Sequence, residues 1–221
     1  MPRPRFATLD PARRAAILAA AAEELAQHGL EGASYNRIIT RAGASKGAMY
    51  YYFDDKQDLL RAVLDDALAR SSAAITSSGA PGPCRDAAEF WAEIHRLCAA
   101  SLELLARDPV LAGLAVRMLG ASTGPLAEAI ATITERLSSF TAALLRQGQA
   151  VGAVRDDLPI ALLTHLLTGV GEAMDRWLLP RFAQLGAHER AALPAQMVDL
   201  FARLAAPAPP PASQGKPRRK R

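Results

Sequence analysis

Four times within the first 64 residues, a short polar residue stands just before a run of apolar residues at helical spacing. Asp10 precedes Pro11, an N-cap followed by a proline at the first helical position, and Ile17, Leu18, Ala21, Ala22 and Leu25 then line one face. Gly29 ends that stripe as the residue type that closes helices in the left-handed conformation. Ser34 precedes a second, short segment carrying Ile38, Ile39 and Ala42 and ended by Gly43; Ser45 precedes a third, from about Lys46 to Phe53. Asp54 or Asp55 opens a fourth, with Asp58 in its first turn, where the helix dipole favours an anion, and Leu59, Leu60, Val63, Leu64 and Leu68 on its buried side. The chain is rich in Ala and Leu and poor in β-branched alternation, so the expected fold is all-α.

The turn cluster "TSSGAPGP", Thr76 to Pro83, is the clearest internal boundary. Beyond it, apolar periodicity predicts long helices over roughly 85–107, 109–119, 124–150, 158–179 and 187–205. The expected organisation is a flexible arm over 1–9, a helix-turn-helix head over 10–56, a larger helical body over 57–206 and a disordered basic tail over 207–221. The 221 residues carry a net charge of +4, distributed as +1 over 1–60, −2 over 61–206 and +5 in the Pro-rich tail "PAPPPASQGKPRRKR". Global charge therefore says little about partners, and local arrangement has to carry the case. Cys84 and Cys98 have neither disulfide-framework nor metal-ligand spacing. The N-terminus lacks the apolar stretch of a secretory signal, and no run approaches the ~20 apolar residues that span a bilayer, so a cytoplasmic protein is expected.

The third segment, "ASKGAMYYYF", carries three successive tyrosines. At about 100° per residue, Lys46, Gly47, Tyr50 and Tyr51 share one arc, and Met49 and Phe53 share the opposite side. A lysine, a glycine without a side chain and two phenols form a surface that can meet something flat and anionic. Hydroxyls and the ammonium donate to phosphate oxygens, and the rings pack on sugars or on the thymine methyl. The plainer alternative is an amphipathic hairpin whose tyrosines lie half-buried against neighbours. Only four lysines occur against 22 arginines; two are in the tail, and the others are Lys46 and Lys56, which flank this segment. Two short helices joined by "RAGAS" have the length and turn glycine of a helix-turn-helix.

"GLEGASYNRIITRAGASKGAMYYYFDDKQDLL", extended back through "ILAAAAEELAQHG", closely resembles the DNA-binding segment of the tetracycline-repressor (TetR) family of transcriptional regulators, over about residues 12–64. The resemblance implies DNA contacts from Ser34, Tyr35 and Asn36 on the second helix. It implies others from Lys46, Gly47, Ala48, Tyr50, Tyr51 and Tyr52 on the third, with Lys56 on a phosphate. Leu25, Ile39 and Ala44 stand where Phe, Ala and Val are frequent in the family and look like exchanges of core volume.

For the body, the resemblance implies that the last two long helices pair with a second copy as a four-helix bundle. Leu163, Leu167, Val170, Met174, Trp177, Met197 and Phe201 are the expected interface. Leu162, Leu163, Leu166, Leu167, Val170, Met174, Trp177 and Leu178 make the first of these helices apolar over more than one stripe, and such a helix must be covered on several sides. The alternative is a wholly intramolecular core helix. The family also implies a small-molecule effector inside the body. The candidate lining is Trp91, His95, Cys98, Arg117, Met118, Phe140, His165 and Glu172. No cofactor or metal is implied. Walker, dinucleotide, His-Glu-x-x-His and Cys-x-x-Cys signatures are missing, and four scattered histidines form no constellation, so catalysis is not expected. The expected function is a homodimeric DNA-binding regulator, a repressor released from its operator by an effector; the alternative is a helical adaptor without specific DNA binding. The tail is either inert or a source of added phosphate contacts.

Overall fold

A computed structural model describes residues 3–77, 82–118 and 127–207. Among the described residues the regular structure is helical, in the order α1 (Pro4–Ala7), α2 (Pro11–Gly32), α3 (Tyr35–Arg41), α4 (Lys46–Tyr52), α5 (Lys56–Ser77), α6 (Ala87–Arg107), α7 (Pro109–Met118), α8 (Ala127–Ala150), α9 (Ile160–Leu178), a 3₁₀ segment (Leu179–Gln184) and α10 (Ala187–Ala205). The expected all-α class holds. The capping residues act as the sequence implies. The Asp10 carboxylate accepts from the Arg13 backbone N–H (3.1 Å), Ser45 Oγ from Ala48 N–H (3.1 Å), and Asp55 from Asp58 N–H (2.9 Å). Gly29 and Gly43 take φ of 70° and 60°, a region that penalises any Cβ, and there the chain turns out of α2 and between α3 and α4. Residues 208–221 of the expected tail and residues 78–81 of the Thr76–Pro83 cluster lie outside the described residues.

Among the described residues, three apolar clusters hold the helices together. The first joins Ile17, Leu18, Ala21 and Leu25 of α2 with Ile38, Met49, Phe53 and the Leu59–Ala67 side of α5, and it also takes in Leu111 and Leu114 of α7. The head's core therefore continues past residue 56. The start of α5 closes it and α7 buttresses it, because a three-helix unit with two seven-residue helices has too little apolar surface of its own. Residues 3–9 depart from the expected flexible arm. Phe6 is an apolar anchor 5 % exposed, and it draws α1 onto the head.

In the body, Phe90, Leu145, Val154, Leu163 and Leu167 form a second cluster, and Leu102, Leu178 and Phe182 a third. Gly148 is required here by close approach: a Cβ would stand 2.4 Å from Val154 Cγ2 and 2.8 Å from Phe90 Cζ. Arg155 N–H donates to the Ala205 carbonyl (2.7 Å), which ties the α8–α9 turn to the end of α10.

Candidate nucleic-acid interface

The candidate surface is built on α4, and its orientation is set by burial on the opposite side. Met49 and Phe53 are fully buried, while Lys46, Gly47, Tyr50 and Tyr51 are exposed, the two tyrosines at 48 % each. Both phenols thus face solvent; of the three successive tyrosines only Tyr52 is half-buried, packed on Phe6 at 5.9 Å between ring centres. A Cβ at Gly47 would meet nothing within 4 Å, so the protein's own packing does not demand glycine there. Asn36 is exposed, and Ser34, Tyr35 and Ala48 are half-buried. The Tyr35 ring lies 5.5 Å from that of Tyr50, which joins α3 and α4 into one surface. Burial, with Tyr50, Asp55 and Asp58 nearby, pushes the Tyr35 phenol up to about 12, and its buried hydroxyl has no hydrogen-bond partner among the described residues.

Two of the surface's supports were not anticipated. Glu24 of α2 is 0 % exposed, and its Oε1 accepts from Ser34 N–H (2.9 Å) and Arg37 Nε (2.7 Å). The Arg37 hydrogen bond is the main cause that holds this carboxyl below the usual range, despite burial. Arg37 also donates to the Gly32 carbonyl (2.9 Å), so one acid–base pair locks the start of α3 to the end of α2. A carboxylate on the α2 stripe, four residues before His28, gives little warning of this in sequence; thirteen residues separate it from Arg37. The second support corrects an expectation. Lys56 is half-buried, and its ammonium donates to the carbonyls of Ala33 (2.8 Å) and Glu31 (3.4 Å), where it caps the α2 exit instead of standing free for a phosphate.

The body residues distribute differently from expectation. His165 and Glu172 line an open groove of about 540 Å³ between α8 and α9, together with Arg146, Thr164 and Thr168. The other six candidates do not join them. Trp91 packs edge-on to Phe90, Cys98 is a half-buried thiol that burial pushes up to about 11, and Met118 borders the head's cluster. Arg117 reaches the Gln27 carbonyl (3.2 Å) at the end of α2, and His95 and Phe140 are exposed. Of the expected interface, Leu163 and Leu167 are buried within the chain's own core, with Phe201 and Met197 packed on the second and third clusters. Trp177, also of the expected interface, is 57 % exposed; the other exposed large apolar side chains of α9 are Leu162 and Leu166, one position before Leu163 and Leu167, and α10 exposes Leu200 and Leu204.

A sequence model described as bacterial regulatory proteins, tetR family, matches residues 17–63, the span from the α2 stripe through α4 into α5. The chain is also 30 % identical over 163 residues to the HTH-type transcriptional repressor AcnR of Corynebacterium diphtheriae, covering 71 % of this chain and 76 % of AcnR. The chain belongs to the TetR family. Solved structures agree in fold. The fatty acid degradation regulator FadR of Bacillus halodurans superposes with a TM-score of 0.72 at 22 % identity, over 87 % of this chain and 95 % of that one. FadR of Bacillus subtilis, in complex with stearoyl-CoA, gives 0.70 at 19 % identity over 85 % and 97 %. This TetR-family chain is accordingly a DNA-binding transcriptional regulator. No helix among its described residues is long and apolar enough to cross a membrane.

Proposed function

We propose that the protein is a homodimeric repressor whose head reads an operator through α3 and α4 and whose body releases it when a small molecule binds. The observation that carries this is the division of α4: Met49 and Phe53 fully buried on one side, and Lys46, Gly47, Tyr50 and Tyr51 in solvent on the other. A core-facing helix with no partner to meet would gain nothing from two exposed phenols. Lys46 is the base-edge reader. Tyr50, Tyr51 and Tyr52 contact phosphate and sugar, joined by Ser34, Tyr35 and Asn36 from α3, and Gly47 and Ala48 let the backbone approach the duplex. Lys56 contributes by fixing the α2–α3 corner.

One seven-residue helix touches too few base pairs for useful specificity, so two heads act together. The α9–α10 stripe supplies the surface for the second copy, with Gly169 leaving room for close approach between Leu166 and Trp177. An effector in the body works by preferring the head spacing that does not fit the operator, and a hundredfold preference corresponds to about 2.7 kcal/mol. A reader of chromosomal DNA works in the cytoplasm. Selection from random duplexes with the purified protein, followed by gel shifts, tests the proposal. Lys46→Ala and Tyr50→Phe should each weaken the specific complex by roughly 1–3 kcal/mol with melting temperature unchanged. Wild-type affinity in both variants removes the reading face, and no specific complex with any duplex leaves the adaptor.

A further inference from the structure

Seating α1 on the head gives its two arginines different tasks. Arg3 is committed internally. Its backbone N–H donates to the Tyr52 carbonyl (3.0 Å), which completes the end of α4, and its guanidinium binds the Asp54 carboxylate, with Nε at 3.0 Å. Phe6 is inserted beside Phe53, with ring centres 4.6 Å apart. Between these two anchors Arg5 has little choice of position. Its guanidinium carbon lies 4.6 Å from the centre of the Tyr51 ring, on the exposed side of the head. Among the described residues no carboxylate forms an ion pair with it, in contrast to Arg3, Arg37 and Arg41.

We infer that Arg5 is a phosphate contact of the DNA interface, placed in advance by stacking on Tyr51, with Arg3 and Phe6 as the residues that position it. The inference rests on the DNA-binding reading of the α4 face. A guanidinium over an aromatic ring is held there by the ring's π surface, and the N–H donors that the ring does not engage remain available to phosphate oxygens. Stacking also removes rotamer freedom before DNA arrives, so less ordering remains to be done on binding. The α4 face then carries a cation at each end, Lys46 at the start and Arg5 over Tyr51 near the finish.

Salt dependence tests this directly. Affinity is measured by fluorescence anisotropy against salt concentration for wild type, Arg5→Ala and Arg5→Lys. Two duplexes are used, one recovered by selection and one of mixed sequence. Each phosphate neutralised contributes about 0.9 to the slope of log K on log salt. Arg5→Ala should reduce the slope by about 0.9 per engaged head on both duplexes, with the melting temperature unchanged, and Arg5→Lys should restore it because the charge returns. A wild-type slope in Arg5→Ala overturns the inference, as does a lost slope that lysine does not restore. So does an unchanged slope accompanied by lost discrimination between the duplexes, which would mark a base contact. Failure of the wild type to bind either duplex would instead remove the DNA reading on which the inference stands.

Discussion

Head and body both expose large side chains, but of opposite chemistry. On α4 the exposed side chains are phenols next to a lysine; on α9 and α10 they are leucines and a tryptophan. A phenol in solvent keeps its hydroxyl hydrated and can exchange that water for a phosphate oxygen. An exposed leucine has no such option, and a row of them is stable in water only against another apolar surface. The head is thus shaped for a charged, hydrated partner, and the body for one resembling its own core. The supports differ in the same sense: the head is fixed by a buried carboxylate and an ammonium on backbone carbonyls, and the body by close apolar packing around Gly148.

The sharpest way to break this comparison is to remove the head's polar lock. Glu24→Ala leaves the Ser34 N–H without its acceptor and deprives Arg37 of its partner. Loss of one member of a buried pair costs 3–5 kcal/mol, reduced here because the Arg37 side chain is about half exposed and can rehydrate, so about 3 kcal/mol is expected in chemical denaturation. The same group gives a pH signature. Its folded pKa lies below the ordinary 4.5, so the folded state binds fewer protons than the unfolded one around that value. Its stabilisation is complete above about 4.5 and is lost as pH falls through the depressed value. Glu24→Gln should therefore flatten the acid limb of the stability curve, and a limb identical to wild type would show that the lock is not electrostatic.

The body's stripe is tested by Leu166→Glu, which puts a charge in the middle of the exposed apolar row. Sedimentation should report a monomer, and operator affinity should fall on the order of a hundredfold as the second head's effective concentration is lost. The monomer's fold should survive, since Leu166 is exposed in the single chain. Leu163→Ala is the contrast: a core residue of the second cluster, it should cost about 3 kcal/mol of stability wherever the dimer lies. If Leu166→Glu stays dimeric, the stripe is not the interface.

Gly148→Ala should destabilise by about 2 kcal/mol, because Val154 and Phe90 must give way to a methyl group in a filled core. The proposed operator contacts lie in the head, so DNA affinity per folded molecule should not move. A variant as stable as wild type would mean that the body repacks easily, and the contrast with the head's fixed geometry would weaken.

How far each region could be read from sequence follows the same division. Helix limits were legible from α2 onward, since caps and breaks are local: Ser34, Ser45, Gly29 and Gly43 act where the sequence puts them, and the body helices fall within a few residues of their apolar runs; α1 was missed because its anchor is the distant contact of Phe6 with Phe53. The α4 face was legible because a seven-residue helix has one buried side, and Met49 and Phe53 mark it. Face assignment failed on α9, where leucine occupies adjacent positions and periodicity cannot say which of Leu162 and Leu163 turns inward. Pairings between distant residues were invisible for a different reason. Glu24 with Arg37, Lys56 with Ala33, and Arg117 with Gln27 each depend on how elements dock, which no local pattern encodes. Of the effector-lining candidates, His165 and Glu172 share a groove because both lie on α9, and the other six are scattered, since residues on separate helices converge only if those helices face each other.

The smallest expected effect has the opposite sign from the others and bears on the head alone. Gly47 sits in α4 with open space where its Cβ would be and without a positive φ, so nothing in the fold requires glycine. Alanine there should stabilise the short helix by about 0.5 kcal/mol, the conformational freedom that glycine gives up on folding. If the position is kept bare so that the duplex can approach, Gly47→Ala should raise the melting temperature slightly while weakening the operator complex. Gly47→Leu should weaken it further, since a larger side chain holds the backbone away. A more stable protein that binds less well separates a surface kept open for a partner from one shaped by its own packing. Gly47→Leu binding as tightly as wild type would show that the duplex never comes that close.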